Sequence, residues 1–269
     1  MSEKITTATL QAMKRKGTKI VALTAYDAPT AMLLNEAGVD VVLVGDSVGM
    51  TRLGYESTLP VTVEEMLHHT KAAKRGNSRA LLVADLPYLS YQLDAAEAVR
   101  NGGRFIKEAG AEAVKLEGGR EMGMRIKALI EARIPVMGHL GMTPQSVHLL
   151  GGYTVQGKSP EAAEKILTDA KILEGAGCFA IVLEAIPSDL AGNAKIAVSR
   201  EGRFSYTFDL QKLRAYLAGL GIAAGSLPAS LDGATLKLTI PTQVVIEYRT
   251  QNGAPYLMIE VLKRPPSDY

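Results

Sequence analysis

Val39-Asp-Val-Val-Leu-Val-Gly-Asp-Ser-Val-Gly-Met50 is an apolar, β-branched run that stops abruptly on Gly45-Asp46-Ser47. A strand covered on both faces has no room for polar side chains along its body, so chemistry appears only at its tip. The run therefore predicts a buried strand presenting Asp46 at its C-terminal end. Outward from it, short apolar runs alternate with amphipathic stretches. Strands are expected over Ile20–Tyr26, Val39–Val44, Ala80–Ala84, Ala113–Glu117, Pro135–His139 and Phe179–Glu184. Helices are expected over Pro29–Glu36, Val63–Lys74, Asp94–Glu108, Glu121–Ala132 and Pro160–Glu174. Each cycle takes about 25 to 45 residues, the size of one strand, one helix and their loops. Thr62 followed by early acids, and Ser159-Pro160, mark helix starts, while Gly38, Gly110 and Gly177 mark ends. The Gly-, His- and Thr-rich insertion Gly141–Lys158 follows the fifth strand, where a substrate loop is expected.

After about Leu190 the rhythm changes. Leu210, Leu213, Leu217 and Leu220 recur at helical spacing within Phe208–Leu220. Leu236–Ile240, Gln243–Arg249 and Tyr256–Leu262 then read as strands too close together for crossover helices, and Asn252-Gly253 suits a tight hairpin turn. An antiparallel α+β segment is expected there.

Composition narrows the class. The 269 residues are 47% hydrophobic, enough for a large core, and the net charge is only +2 with 5% aromatics. No basic stripe is interleaved with aromatic residues, so nucleic acid is not an expected partner. Lys14-Arg15-Lys16 reads as a solvated helix end. One cysteine, Cys178, leaves no internal disulfide and no cysteine-rich metal site. No apolar leader region or long apolar span is visible, so a cytoplasmic protein without a membrane partner is expected.

The predicted strand ends carry the polar residues: Asp46 and Ser47, Asp85, Lys115 and Glu117, His139, and Glu184. Gathered at one barrel mouth, several carboxylates suit a hard divalent cation. Alternation sends Lys115 and Glu117 inward together and Leu116 outward. Each residue also has a plainer reading. Asp46 can cap a helix, Asp85 can serve a turn, Lys115 and Glu117 can be an internal ion pair, His139 a satisfied core histidine, and Glu184 a loop carboxylate. What favours chemistry is that all fall at the same end of successive strands. His68-His69 cannot share a helix face and read as surface. Gly118-Gly119-Arg120 and Gly151-Gly152 fit no phosphate-loop pattern, and Cys178 reads as a small core residue.

Over roughly residues 3–191 the chain resembles the ketopantoate hydroxymethyltransferase family. The resemblance rests on Thr24-Ala-Tyr-Asp27, Gly45-Asp-Ser-Val-Gly-Met50, Gly54-Tyr-Glu-Ser-Thr-Leu-Pro-Val-Thr62, Ala84-Asp-Leu-Pro87, Val114-Lys-Leu-Glu-Gly-Gly119, Gly138-His-Leu-Gly-Met-Thr-Pro144, Gly151-Gly-Tyr153, Gln156-Gly157 and Leu183-Glu-Ala185. It implies an α/β fold of the (βα)8 TIM-barrel type, with six family-like βα units present. It also implies a homo-oligomer. The implied reaction moves a hydroxymethyl group from 5,10-methylenetetrahydrofolate to the 2-oxoacid 3-methyl-2-oxobutanoate, giving 2-dehydropantoate for pantothenate biosynthesis. Mg2+ is implied at Asp46 and Asp85, with Glu117 at or near the ion. Asp46, Ser47, Asp85, Lys115 and His139 are implied in substrate binding, and Glu184 as the general base.

The tail departs from that pattern. The family continues through an Ile-Pro-Thr-Ile-Gly-Ile-Gly-Ala-Gly segment and then Asp-Gly-Gln-Val. Here Ile240-Pro-Thr242 runs into Gln-Val-Val, and Asp232-Gly233 comes before it. The expected division is therefore a transferase region, 1–191, and a non-matching α+β tail, 192–269. The alternative function is a catalytically inactive barrel fragment joined to an unrelated binding segment. A 2-oxoacid lyase or mutase of the related magnesium barrels is a third reading, but the Lys-Cys-Gly-His-type loop usual there is absent.

Overall fold

A computed structural model describes residues 3–193 and three strands within 236–261. The chain divides into two compact units, Met1–Phe204 and Ser205–Tyr269. In the first unit, β1 (Ala22–Thr24), β2 (Val41–Val44), β3 (Leu81–Asp85), β4 (Ala113–Lys115), β5 (Val136–Gly141) and β6 (Ala180–Glu184) form one parallel sheet in sequence order. The helices between them are α2 (Ala28–Glu36), α3 (Val63–Gly76), α4 (Ala95–Ala109), α5 (Gly123–Glu131) and α6 (Pro160–Gly175). α1 (Thr7–Arg15) precedes the sheet and α7 (Ser188–Asn193) follows it. This is the alternating α/β order expected.

The sheet forms because its strands are apolar on both faces. Every residue of β3 and β4 is buried, and so is every residue of β5 except Gly141. Covered strands of this kind need long helical crossovers, and capping places the crossovers. Thr62 accepts from the Glu65 amide while Glu65 returns a bond to the Thr62 amide at 2.7 Å, so the first turn of α3 is satisfied from both sides. Ser159 caps α6 with Pro160 in its first turn, and Asp27 and Asp94 cap α2 and α4. Gly110 ends α4 in the left-handed conformation that suits a residue without Cβ.

The start of the sheet is sealed by the N-terminal segment. Ile5 donates to the Arg79 carbonyl, and Lys4 Nζ reaches the Ala80 carbonyl at 2.7 Å. Ile5 and Leu10 then join Val41, Leu81, Val83, Ala113, Met137 and Val182 in one apolar cluster. With the strand starts closed by hydrocarbon, the polar residues concentrate at the strand ends.

In the second unit, β7 (Leu236–Ile240), β8 (Val244–Gln251) and β9 (Ala254–Val261) form a separate antiparallel sheet in that order. Gln251 at the end of β8 pairs with Ala254 at the start of β9, and the predicted turn residues Asn252-Gly253 lie outside the described residues. The predicted helix Phe208–Leu220 lies outside the described residues. The described tail strands thus do not add a seventh and eighth parallel strand. Among the described residues, no helix is long and apolar enough to cross a membrane.

Candidate active site

Five of the six parallel strands deliver a polar side chain to the same end of the sheet. Asp85 is the last residue of β3, Lys115 the last of β4, His139 lies in β5 and Glu184 ends β6. Asp46 and Ser47 follow β2 and lead into a widened helical turn, Gly49–Leu53. Such widened turns recur at functional sites. Asp46 does not cap that turn; its Oδ2 accepts from Gln145 Nε2 at 2.8 Å, and its amide faces Asp85 Oδ2 at 3.3 Å.

Lys115 Nζ lies 2.6 Å from both oxygens of Asp85 and 3.9 Å from Glu117 Oε1. The predicted inward pairing of Lys115 and Glu117 is therefore present, with Asp85 as the closer partner. His139 is buried between two acids: Nδ1 is 3.3 Å from Glu117 Oε1 and Nε2 is 3.2 Å from Glu184 Oε2. Both contacts are close enough for charge attraction but poorly aligned, and neither ring nitrogen has a hydrogen-bond partner. His139 is thus not a satisfied core histidine. Glu184 differs from the rest, with its side chain 49% exposed.

Burial sets the electrostatics. Three buried carboxylates, Asp46, Asp85 and Glu117, share one buried ammonium. Burial and then the charge of Asp85 push the Asp46 carboxyl up to about 8. Burial likewise raises Asp85; the Lys115 cation pulls it back only in part, and Glu117 adds to the rise. For Glu117, burial is outweighed by His139 and Lys115, which hold it below the usual range. Burial would lower Lys115 and His139, yet acidic neighbours raise both: Asp85 first for Lys115, Glu117 and Glu184 for His139.

A hard divalent cation fits this donor set. The nearest donors are carboxylate oxygens, and burial, together with the neighbouring acids, raises two of the carboxyls, Asp46 and Asp85. Among the described residues, no three Asp, Glu, His or Cys side chains surround one point. Asp46 and Asp85 would be the protein donors to such an ion, and the rest of its shell would have to come from water or a ligand. Glu117 lies 3.3 Å from His139 Nδ1 through Oε1 and accepts from the Gln145 amide at 2.9 Å through Oε2.

Sequence reasoning missed three uncharged residues. Tyr26 places its hydroxyl 2.8 Å from Ser47 Oγ. The fully buried Tyr91 accepts from the Glu117 amide and lies 2.7 Å from Gln145 Oε1. Gln145, in the insertion after β5, holds Asp46. Two of the three lay within or beside quoted motifs: Tyr26 inside Thr24–Asp27, and Gln145 directly after Pro144. His69 also differs from expectation: His68 is exposed, but His69 Nδ1 meets the Tyr26 carbonyl at 2.9 Å.

A six-stranded parallel sheet with a buried acid, lysine and histidine cluster at its strand ends defines an α/β enzyme of the strand-end type. Residues 4–199 match ketopantoate hydroxymethyltransferase, and the chain belongs to that family of transferases. It is 58% identical over 193 residues to the 3-methyl-2-oxobutanoate hydroxymethyltransferase of Thermoanaerobacter sp. (strain X514), covering 72% of this chain and 70% of that one. Against the enzyme of the same name from Syntrophus aciditrophicus (strain SB), identity is 60% over 188 residues, covering 70% and 69%. In fold the chain is similar to 2,3-dimethylmalate lyase, a PEP mutase/isocitrate lyase superfamily member. The TM-score is 0.52 and identity 17%, covering 71% of this chain and 65% of that one.

Proposed function

We propose that this chain transfers a hydroxymethyl group from 5,10-methylenetetrahydrofolate to 3-methyl-2-oxobutanoate, giving 2-dehydropantoate and tetrahydrofolate, with Mg2+ held by Asp46 and Asp85. The observation that carries the reading is the half-exposed Glu184, poised 3.2 Å from buried His139 beside an acid cluster short of positive charge. Mg2+, when bound, supplies Lewis-acid polarisation of the 2-oxoacid. Glu184 takes the proton from C3 of the substrate, and His139 steadies the carboxylate that receives it. Lys115 offsets the negative charge of the oxoacid. Ser47, oriented by Tyr26, binds the substrate beside Asp46. The C3 nucleophile then forms the new carbon–carbon bond with the folate-borne carbon as that carbon's two bonds to the folate nitrogens break; water supplies the product's hydroxyl oxygen, and the C3 proton and one water proton end on the freed nitrogens. The relatives' names support the oxoacid, and the six βα units in sequence order support reading the first unit as part of a (βα)8 barrel.

One observation favours the inactive-fragment reading, namely that β7–β9 form their own antiparallel sheet. A single experiment separates the two. The full chain is supplied with Mg2+ in D2O, and deuterium entry at C3 of 3-methyl-2-oxobutanoate is followed by NMR, then product formation after adding the folate donor. Exchange that falls about 10²- to 10⁴-fold in Glu184→Gln is expected for a general base. Absence of both exchange and product in the folded wild-type protein overturns the reading.

A further inference from the structure

Gln145 bonds Asp46 through its side chain and Glu117 through its backbone amide, although it lies 99 residues from Asp46 in sequence. An amide side chain has two N–H donors and an oxygen with two acceptor sites. Here all four are used. Nε2 donates to Asp46 Oδ2 at 2.8 Å and to the Leu86 carbonyl at 2.9 Å. Oε1 faces the Tyr91 hydroxyl at 2.7 Å and Gln92 Nε2 at 3.1 Å. The backbone amide of the same residue donates to Glu117 Oε2 at 2.9 Å.

This arrangement fixes the amide's orientation. Rotated by half a turn, it would aim its oxygen at a carboxylate and a carbonyl, and its N–H groups at the Gln92 amide. Gln145 is itself only 6% exposed, so water does not substitute for a lost partner cheaply. It is the central residue of a short helical turn, Pro144–Ser146, that follows β5, and the exposed Leu149, Tyr153 and Val155 follow in the same loop. Anything that moves this loop moves the group holding Asp46 Oδ2.

We propose that Gln145 is a positioning residue: it sets the Asp46 carboxylate for the divalent cation and ties the β5–α6 loop to that carboxylate. The proposal deepens the metal-dependent reading given above and rests on it. Gln145 acts through its bonds to Asp46 and Glu117.

The test uses the full chain and Mg2+ alone. Titration calorimetry measures Mg2+ affinity in the wild type, Asp46→Asn, Gln145→Met and Gln145→Glu, with folding checked by near-UV circular dichroism. Amide hydrogen exchange of residues 141–158 is recorded with and without Mg2+. Loss of partners that orient a metal ligand typically weakens binding by about 10- to 100-fold. A weakening in that range is expected for Gln145→Met, together with slower exchange of the loop on adding Mg2+ to the wild type and loss of that slowing in the variant. A folded Gln145→Met that binds Mg2+ within about twofold of wild type overturns the proposal. If that variant does not fold, Gln145→Glu, which keeps an acceptor for Tyr91, gives the same comparison. Should neither fold, unchanged loop exchange in the wild type with saturating Mg2+ overturns it. Wild-type protein that binds no Mg2+, with Asp46→Asn no different, instead overturns the metal-dependent reading itself and the proposal with it.

Discussion

His139 joins two acids of opposite character: its Nε2 is 3.2 Å from the half-exposed Glu184, and its Nδ1 is 3.3 Å from the buried Glu117. On the proposed reading, Glu184 is exposed so as to reach a substrate carbon, and charge attraction to the buried ring is what would limit its rotation. Replacing His139 by Asn keeps a polar side chain but shortens its reach. The expected outcome is a 10- to 100-fold loss in the rate of C3 deuterium exchange, on the order seen when an orienting partner is removed. Mg2+ affinity should stay within about threefold, because the ring contacts neither oxygen of Asp46. Equal losses in exchange and in Mg2+ binding would assign His139 to the metal instead.

The Asp46 carboxyl gives a pH dependence with a definite sign. Its proton is held up to about 8, against a usual value of 3.8. A carboxyl raised in this way favours folding below its unfolded value, and that contribution is lost as pH rises through about 8. A cation at Asp46 must displace the proton, so Mg2+ binding strengthens with pH until about 8 and then levels. The proton released from Asp46 makes apparent affinity rise about tenfold per pH unit below that point, and more steeply wherever Asp85 gives one up as well. Calorimetry in two buffers of different ionisation enthalpy counts the proton directly. A flat profile between about pH 6 and 7.5 would show that Asp46 is already ionised there.

Lys115 is the only ammonium among three buried carboxylates, 2.6 Å from Asp85 and 3.9 Å from Glu117. Lys115→Met keeps most of the hydrocarbon stem and removes the charge. Breaking a buried pair from one side usually costs about 3–5 kcal/mol, because the partner is left uncompensated. The metal-free variant should therefore melt well below wild type. Mg2+ should then raise its melting temperature by more than it raises that of the wild type, since the ion replaces the missing positive charge. An equal rise in both would separate Lys115 from the cation's surroundings.

The six strands and the acidic tips were legible in sequence because parallel strands covered on both faces leave polar side chains one place to go. Bounds were less legible. The run from Ile20 to Tyr26 is strand only over Ala22–Thr24. Gln145, Tyr91 and Tyr26 escaped notice because they are uncharged, and their roles come from bonds across as many as 99 residues, which no local period records. His69 looked like a surface residue beside His68, and only the approach of the Tyr26 carbonyl gives it a partner. The tail's hairpin was legible from Asn252-Gly253, a signal that is local by nature.

Glycine substitutions offer two outcomes of opposite sign from the same chemical change. At Gly141, where β5 ends, φ is +92° and an added Cβ would fall 2.2 Å from the Glu184 carbonyl oxygen. Backbone strain alone costs on the order of 1–3 kcal/mol for a side chain held there, before the clash with backbone is relieved. Relief requires the ends of β5 and β6 to part, which carries Glu184 away from His139. Gly141→Ala should thus lower both the melting temperature and the rate of C3 exchange, with exchange falling further than the loss of folded protein accounts for. At Gly103, in the interior of α4, an added Cβ meets nothing within 4 Å. Alanine there should stabilise the fold by about 0.5–1 kcal/mol and leave exchange unchanged. Differential scanning calorimetry of both variants, paired with the exchange assay, checks the contrast. A Gly141→Ala protein with wild-type exchange would mean that the β5 end does not hold Glu184 in place.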